Sequence, residues 1–392
     1  MRNKAGITLL VAGLAAVVAA AVAAAATDGA GRVSAKAAPA AATARCAKTM
    51  YIAYAGPITG GAATLGAQQL NWVKFAVGQW NTRVKKPHFR IVQADTQLPN
   101  VAEAIKAAKQ LASDKRVWGV VGPAGSQEVQ DSFAAYKAGH LGFVSGSATR
   151  TSLTDGSRKG YFFRVVPNDD VQGPTVANYM VNSLKVKKVY VIDDQEAYGQ
   201  GLADTVEKLL KAKNVVVTRD SVNPETATDF SSLIAKINPS IDVVYLPWQL
   251  AAKAQLFGQQ LRAAGKNATL FGSDGLFSES EFKIAGSYVS FFPVKTTSGA
   301  VAAYKAKHGG NGDYFGAPSA AAAGIVMSAI ARSCGDNKIT RDEVRRNIAR
   351  ASIPASQSVL GLTVAFTANG DLKGGSFGIW KIGSNGAYSS VG

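Results

Sequence analysis

Past residue 50, apolar strand-like runs alternate with amphipathic helix-like runs, and the alternation happens twice. "MYIAYA" (Met50–Ala55), "HFRIVQAD", "VWGVV" and "LGFVSG" read as strands. Between them, Trp72, Phe75, Ala76 and Trp80 fall on one helical face, and "NVAEAIKAAKQLASD" reads as a helix capped by Asn100. The pattern restarts at "YFFRVVPNDD" with strands at "KVYVID", "NVVVTRD", "IDVVYLP" and "ATLFGSDG". Helices are predicted at "VQGPTVANYMVNSL", around Leu202, Val206, Leu209 and Leu210, at "DFSSLIAKI" and at "AAKAQLFGQQLRAAG". Parallel neighbours need a crossover between them, so this alternation predicts parallel sheets covered by helices on both faces. Two successive runs predict an α/β protein with two Rossmann-like lobes. The tail reads as helices at "AAYKAKHG", "SAAAAGIVMSAIARSC" and "TRDEVRRNIARA", then strands in "GLTVAFTANGDLKGGSFGIWKI", where "NGD" is a hairpin signal.

The first residues do not join this pattern. Arg2 and Lys4 precede an apolar run from Ile7 to Ala26, about 20 residues, long enough to cross a bilayer. The run ends in small residues, so residues 1–26 are read as a signal peptide, with an uncleaved anchor as the alternative. Residues 27–46 are an Ala-rich tether with scattered Gly, Pro and Ser. The chain is therefore expected to be exported and to work in the periplasm or at the cell surface. Cys46 is not read as a lipid-attachment site, because Arg45 stands where a small residue is wanted. The two cysteines, Cys46 and Cys334, permit one disulfide in an exported chain; two separate buried thiols are the other reading. A bridge closing so long a loop is worth about 5 kcal/mol in the chain-entropy account.

The formal charge of +17 raises nucleic acid as a partner. Export argues against it, and so does the scatter of the lysines. A solvated basic surface, favouring anionic membranes or a negatively charged partner, accounts for the same charge. Catalysis finds no support either. His88, His140 and His308 pair with no nucleophile or metal-spaced ligand set. No G-x-S-x-G elbow, Walker loop, G-x-G-x-x-G after the first strand or Cys/His cluster occurs. The chain is read as a binding protein, not an enzyme, with no metal and no cofactor.

In open α/β sheets ligands bind beyond the carboxyl ends of the strands, so the loops there carry the candidates. In "GPAGSQEV" Ser126 either donates to an anion held at a helix start or simply caps the helix. Ser147, Ala148 and Thr149 lie in "SGSATRTSLT", which suits a carboxylate or is an ordinary polar loop. Tyr198 stands between a strand and a helix, as a site residue or as core. Asp274, just past "TLFGS", either pairs with an ammonium group or caps a turn. A carboxylate cradle and a lone acid in facing lobes together describe the backbone of an α-amino acid.

These segments are where the sequence resembles a known family. "GPITGGAATLGAQQLNWVKFAV", "VVGPAGSQEVQ", "SGSATRTSLT", "FRVVPNDDVQGPTVANYM", "VIDDQEAYGQGLADTVEKLL", "DFSSLIAKI" and "FGSDG", in this order, resemble the leucine/isoleucine/valine-binding proteins, type I periplasmic solute-binding proteins of ABC transporters. The likeness runs from Thr49 to the end. It implies two lobes joined by three crossovers, here near Val166, Pro293 and Phe377. The N-terminal lobe would take residues 47–165 and 294–376, and the C-terminal lobe residues 166–293 and 377–392. It further implies carboxylate binding by Ser126 and by Ser147, Ala148 and Thr149, a tyrosine reaching in at Tyr198, and an ammonium partner at Asp274, where the family often has Glu. Leu65 stands where an aromatic residue is common, and Trp248 and Gln249 replace a Gly/Tyr-rich stretch. Tyr314 is the candidate lining residue from the late segment. The function implied is capture of a small amino acid, branched-chain or otherwise apolar, by a monomer that closes on its hinge and delivers to permease subunits. The alternatives are a sensory subunit, or a binder of an amide, urea or aromatic acid on the same fold.

Overall fold

The computed structural model describes residues 44–294, 299–308 and 314–392, which fall within one compact unit. The signal peptide and residues 27–43 of the tether lie outside the described residues.

The first half of the chain runs β1 (Ala44–Arg45), β2 (Thr49–Gly56), α1 (Ala63–Arg83), β3 (His88–Asp95), α2 (Val101–Ser113), β4 (Val117–Val121), α3 (Ser126–Ala138), β5 (Phe143–Ser145) and β6 (Phe162–Arg164). There follow α4 (Asp169–Asn182), β7 (Lys188–Asp193), α5 (Ala197–Lys211), β8 (Val216–Ser221), α6 (Ser231–Ala235), β9 (Val243–Leu246), α7 (Ala251–Ala263), β10 (Thr269–Gly272) and β11 (Tyr288–Phe291). The return passage is α8 (Gly299–His308), α9 (Gly316–Ser333), β12 (Lys338–Ile339), α10 (Arg341–Ala349), β13 (Ser352–Ile353) and β14 (Val364–Ala365). The chain ends in β15 (Gly378–Ile382) and β16 (Tyr388–Ser390).

Two sheets result. The first has the order β3-β2-β4-β5-β6 and is parallel throughout. The second has the order β16-β15-β11-β10-β9-β7-β8; strands β7 to β11 are parallel, and β15 and β16 add antiparallel at one edge. We call the units around them lobe 1 and lobe 2. Strands β2, β4, β5 and β6 of lobe 1 are buried nearly end to end, as a sheet covered on both faces requires, while the edge strand β3 is partly exposed. Helix α9 is almost wholly buried between α1 and the sheet, which explains its run of alanines: small side chains let three elements approach closely.

Strand order reverses between β2 and β4 in lobe 1 and between β7 and β9 in lobe 2. These are the switch points at which neighbouring loops diverge and leave a crevice. The loop after β4 depends on Gly122, whose φ is +108° and whose place admits no side chain: a Cβ there would lie 2.0 Å from the Ala55 carbonyl oxygen.

Two expectations need correction, the tether bound and one helix, and the permitted disulfide is present. The tether does not extend to residue 46, because Ala44 and Arg45 pair with Lys338 and Ile339 as strand β1 on β12. Cys46 is joined to Cys334, with Cα atoms 5.7 Å apart, which staples the chain start to the end of α9. The helix expected over "DFSSLIAKI" is only the five residues of α6. Asp229 accepts from the Ser231 backbone N–H and side chain just before it, and Pro239 follows shortly after, so there is no length to propagate. The "NGD" turn is present as a bridge between Phe366 and Leu372, with Gly370 at φ +97°.

Candidate functional site

The lobe 1 wall of the crevice is built from the loops after β4 and β5. Ser126 is the first residue of α3, and Gly125 holds the capping position, so the hydroxyl is not spent on the helix. Its oxygen accepts from the Arg150 N–H at 3.2 Å, which leaves its own proton to donate. Glu128 reaches back to the Gly125 N–H at 2.8 Å and fixes the start of the helix. The other loop is organised by Ser145, whose hydroxyl donates to the Pro123 carbonyl and accepts from the Ser147 and Ala148 N–H groups. Ser147 in turn donates to the Ala124 carbonyl at 2.7 Å and accepts from Gln69 at 2.8 Å. The Ser147 hydroxyl and the Ala148 amide are thus used inside lobe 1 as bracing, not held free for a ligand. Ser126 has a proton still to give, and the Thr149 hydroxyl, without a partner of ordinary geometry, lies beside the Asp169 carboxyl.

A residue that loop-by-loop reading missed holds this wall in place. Arg164, fully buried at the end of β6, donates to the carbonyls of Ala148 (3.1 Å) and Arg150 (2.7 Å), to the Thr154 hydroxyl, and to Asp371 at 2.7 Å. Three of these four hydrogen bonds fix the turn from 148 to 154. The signal available in the sequence was "FFR" at a strand end: an arginine closing a buried strand needs an acid and carbonyls.

The lobe 2 wall is different in kind. Asp274 is buried just beyond β10; its Oδ1 accepts from the Tyr198 hydroxyl and from Gln172 Nε2 at 2.7 Å. Gln172 also bonds Ser290, so the acid is held from two elements. Burial pushes Asp274 up to about 6, although those hydrogen bonds favour its charged form. Burial and the neighbouring Asp274 and Asp169 carboxyls hold the Tyr198 phenol well above its ordinary value, so it stays a donor. A second acid, Asp169 at the start of α4, was not singled out in the sequence. It is fully buried, its N–H donates to the Thr149 carbonyl at 2.9 Å, and neither carboxyl oxygen has a hydrogen-bond partner of ordinary geometry. Burial first, and Asp274 second, push it up to about 8, while the Thr149 hydroxyl beside it favours the charged form.

The remaining candidates divide. Gln249 is held by its N–H on Asp194 at 2.8 Å, and Asp194 also accepts from the Glu196 N–H, so one acid ties together the loops after β7 and β9. Gln249 and Leu65 face each other across a cavity of about 20 Å³ lined also by Gln68, Gly275, Phe277 and Phe315. Thr64, Ser278 and Glu281 line it too, so this end of the crevice is mixed in polarity, and Leu65 packs into the lobe 2 core cluster. Trp248 does not line it. Its ring is buried against Phe230 and Phe257, and its Nε1–H donates to the Ile192 carbonyl at 2.7 Å, because an indole this large finds more apolar contact in the core than at a loop surface. Tyr314 is also turned away: it packs edge-on against Phe277 and donates to Glu279 at 2.9 Å, while its neighbour Phe315 takes the lining place.

The lobes touch across the crevice. The Ala197 N–H donates to Gln127 Oε1 at 3.0 Å, Arg150 donates to the Ala197 carbonyl, and Thr64 donates to Glu281 at 2.7 Å. Leu98 and Ala62 pack with Leu250. This is a closed arrangement, and a gap of about 20 Å³ between Leu65 and Gln249 means that a solute enters only when the lobes part. A larger groove of about 580 Å³ lies elsewhere on lobe 1, between α1, α8 and α9, and contains none of the crevice residues. No group of acids, histidines and cysteines among the described residues is arranged to hold a metal ion.

Two α/β lobes, closed over a crevice with hydroxyls on one wall and carboxyls on the other, define a two-lobed solute-binding protein. The chain belongs to the periplasmic binding protein family, which it matches over residues 49–376. It is 28% identical over 360 residues to a Leu/Ile/Val-binding protein of Citrobacter freundii, covering 88% of this chain and 94% of that one. It is 31% identical to an amino acid binding protein of Pseudomonas aeruginosa over 60% of this chain and 63% of that one. The fold is similar to a leucine binding protein of Thermotoga maritima (TM-score 0.78, 20% identity, 88% and 98% of the two chains). It is also similar to a branched-chain amino acid transporter substrate binding protein of Streptococcus pneumoniae in complex with isoleucine (TM-score 0.74, 22% identity, 88% and 99%). A third neighbour, a solute binding protein of R. palustris in complex with benzoate, has a TM-score of 0.76 at 16% identity, covering 88% and 96%.

Proposed function

We propose that this protein captures a small apolar α-amino acid outside the cytoplasmic membrane and delivers it to an ABC transporter. The observation that carries the reading is the pairing of opposite walls at the two switch points. Ser126 offers a hydroxyl proton on lobe 1, with the Thr149 hydroxyl in the same wall, and Asp274, braced by Tyr198 and Gln172, offers a buried acid on lobe 2. A zwitterion satisfies both walls at once, its carboxylate on the first and its ammonium group on the second. Leu65, Phe277 and Phe315 then meet its side chain, which favours an aliphatic one. The names of the relatives support the same ligand class.

Mechanism follows from the order of contacts. In an open arrangement the carboxylate seats on lobe 1, whose wall is already braced by Arg164 and Ser145. Closure brings Asp274 and Tyr198 onto the ammonium group and makes the interlobe bonds of Ala197 with Gln127 and Arg150. Water leaves, and charge-assisted hydrogen bonds strengthen in the drier site. The closed pair of lobes is the form a permease would recognise. Export to this compartment would rest on residues 1–26 acting as a signal peptide.

Calorimetric titration of the mature protein with L-leucine, L-isoleucine and L-valine tests the reading. The expected result is saturable binding of at least one of them that Asp274→Ala abolishes. Binding of benzoate, unaffected by Asp274→Ala, in place of the amino acids would overturn it and favour an aromatic-acid ligand.

A further inference from the structure

The positive charge of this chain is not shared between its lobes. With the lobe boundaries expected from the sequence, residues 47–165 and 294–376 hold 25 Lys and Arg against 11 Asp and Glu, a net of +14. Residues 166–293 and 377–392 hold 13 against 14, a net of −1. A charge that served solubility alone would need no such division. Within lobe 1 the bias is sharpest where the chain enters it. From Gly29 to Ala94 there is no Asp or Glu, and the same stretch carries nine Lys and Arg.

The fold gathers these cations at one pole. Strands β2, β3 and β4 are parallel, so their starts lie together at the end of the sheet away from the crevice. Lys48 precedes β2, Lys85 and Lys86 precede β3, and Lys115 precedes β4; all four are exposed, as is Arg90 on β3. Arg90 stands beside Tyr51 in the strand register, and the Arg116 guanidinium lies 5.3 Å from the centroid of the same ring. Asp114, which also precedes β4, is spent on Arg116 at 2.7 Å. Among the described residues, Lys48, Lys85, Lys86, Arg90 and Lys115 have no ion-pair partner. Cations on an edge strand such as β3 also discourage the addition of another strand. That role does not account for Lys48 and Lys115, which precede inner strands. The chain enters the fold at this pole: Ala44 and Arg45 form β1 directly ahead of β2, and the Cys46–Cys334 bridge fixes them there. Residues 1–43, with the apolar run from Ile7 to Ala26, are therefore joined to the fold beside the cations.

We propose that the strand-start pole of lobe 1 is a docking face for an anionic phospholipid bilayer. Two features of the pole select that occupant: its unpaired positive charge, and the attachment there of the segment that meets the membrane during export. Lysine ammonium groups bind phosphates as hydrated point charges without fixed geometry, which suits a fluid layer of headgroups better than a single shaped ligand. The attraction acts within a Debye length, about 10 Å at 0.1 M salt, so it holds the pole and little else. Lobe 1 rests at the surface, and lobe 2, with almost no net charge, is free to move in closure. The crevice, at the opposite ends of the same strands, stays clear. The proposal rests on export and not on the identity of the solute.

The test is co-sedimentation of the mature protein, without residues 1–26, with vesicles of phosphatidylglycerol and phosphatidylcholine in equal parts, and with vesicles of phosphatidylcholine alone. The expected result is binding to the anionic vesicles only, lost as salt rises from about 0.05 M to about 0.5 M. Lys85→Gln, Lys86→Gln and Arg90→Gln together should weaken it about 100-fold, about fivefold for each charge removed. Lys187→Gln, Lys208→Gln and Lys213→Gln, at exposed positions of lobe 2, remove the same charge and should change it by less than about twofold. Absence of binding to the anionic vesicles at low salt overturns the proposal and needs no variant to fold. Equal weakening by the two triple variants overturns it as well, because net charge and not a face would then be responsible. Binding to soluble polyglycerol phosphate with none to vesicles overturns it in favour of a wall polymer. The amino-acid reading is tested separately by its own titration and stands or falls apart from these outcomes.

Discussion

On the lobe 1 wall of the crevice the serines and Arg164 are bonded within their own lobe, while the Thr149 hydroxyl and Glu128 Oε1 have no partner of ordinary geometry. Ser145 binds two amides, Ser147 is fixed by Gln69 and Ala124, and Arg164 gathers the carbonyls of Ala148 and Arg150. On the lobe 2 wall, the Asp169 carboxyl oxygens and the Tyr245 hydroxyl have no hydrogen-bond partner of ordinary geometry, and Asp274 is held by Tyr198 and Gln172. The difference teaches how the two halves divide the work. The first wall is preorganised and costs little to fill. The second carries buried acids, which in the proposed function meet the ligand's ammonium group. Affinity should therefore depend on lobe 2 chemistry, and the shape of the seat on lobe 1 bracing.

The largest effect should come from removing that bracing. Arg164→Met leaves Asp371 unpaired and frees the turn from 148 to 154. Chemical denaturation should show a loss of about 3–5 kcal/mol, as for other broken buried ion pairs. A loss under about 1 kcal/mol would mean that the lobe 1 wall is not held from Arg164. Next is the staple: replacing Cys46 and Cys334 by serine should cost about 2–5 kcal/mol. Because the bridge lies in lobe 1, far from the crevice acids, leucine affinity should stay within about twofold.

Two substitutions compare the walls directly by calorimetry. Asp274→Asn removes a charged partner and should weaken leucine binding by about 10–100-fold, whereas Ser126→Ala removes one neutral donor and should cost about 3–10-fold. Equal effects would remove the contrast between the walls.

The smallest effect is on stability against pH. Asp169, Glu196, Asp194, Glu128 and Asp274 are all raised by burial, to between about 6 and about 8, and four of the five lie on lobe 2. Each folded-state value lies above the unfolded one. Their stabilisation is complete below about pH 4 and is lost as pH rises through the folded values. Carboxyls lowered by hydrogen bonds, such as Asp95 and Asp220, act only below that range. The unliganded protein should melt a few degrees lower at pH 8 than at pH 5.5, about 2–4 °C per kcal/mol, and Asp169→Asn should flatten the trend. A melting temperature rising across that interval would contradict the burial of these acids.

The alternation of apolar runs by itself determined that this chain makes two helix-covered parallel sheets. Burial on both faces of a strand, or on one face of a helix, leaves a local period that needs no knowledge of partners. The same local logic placed Ser126, Thr149, Tyr198 and Asp274 at strand ends, where sites form. Only the tertiary structure decided what those groups meet. Arg164 and Asp371 stand 207 residues apart and Cys46 and Cys334 stand 288 apart, so no local pattern pairs them. Asp169 reads as one of two ordinary aspartates at a helix start, and only packing makes it a buried acid beside Asp274. Trp248 looked like pocket and became core for the converse reason. Whether a side chain turns inward or toward the crevice is settled by competition among contacts from distant parts of the chain, and one short segment carries no record of that.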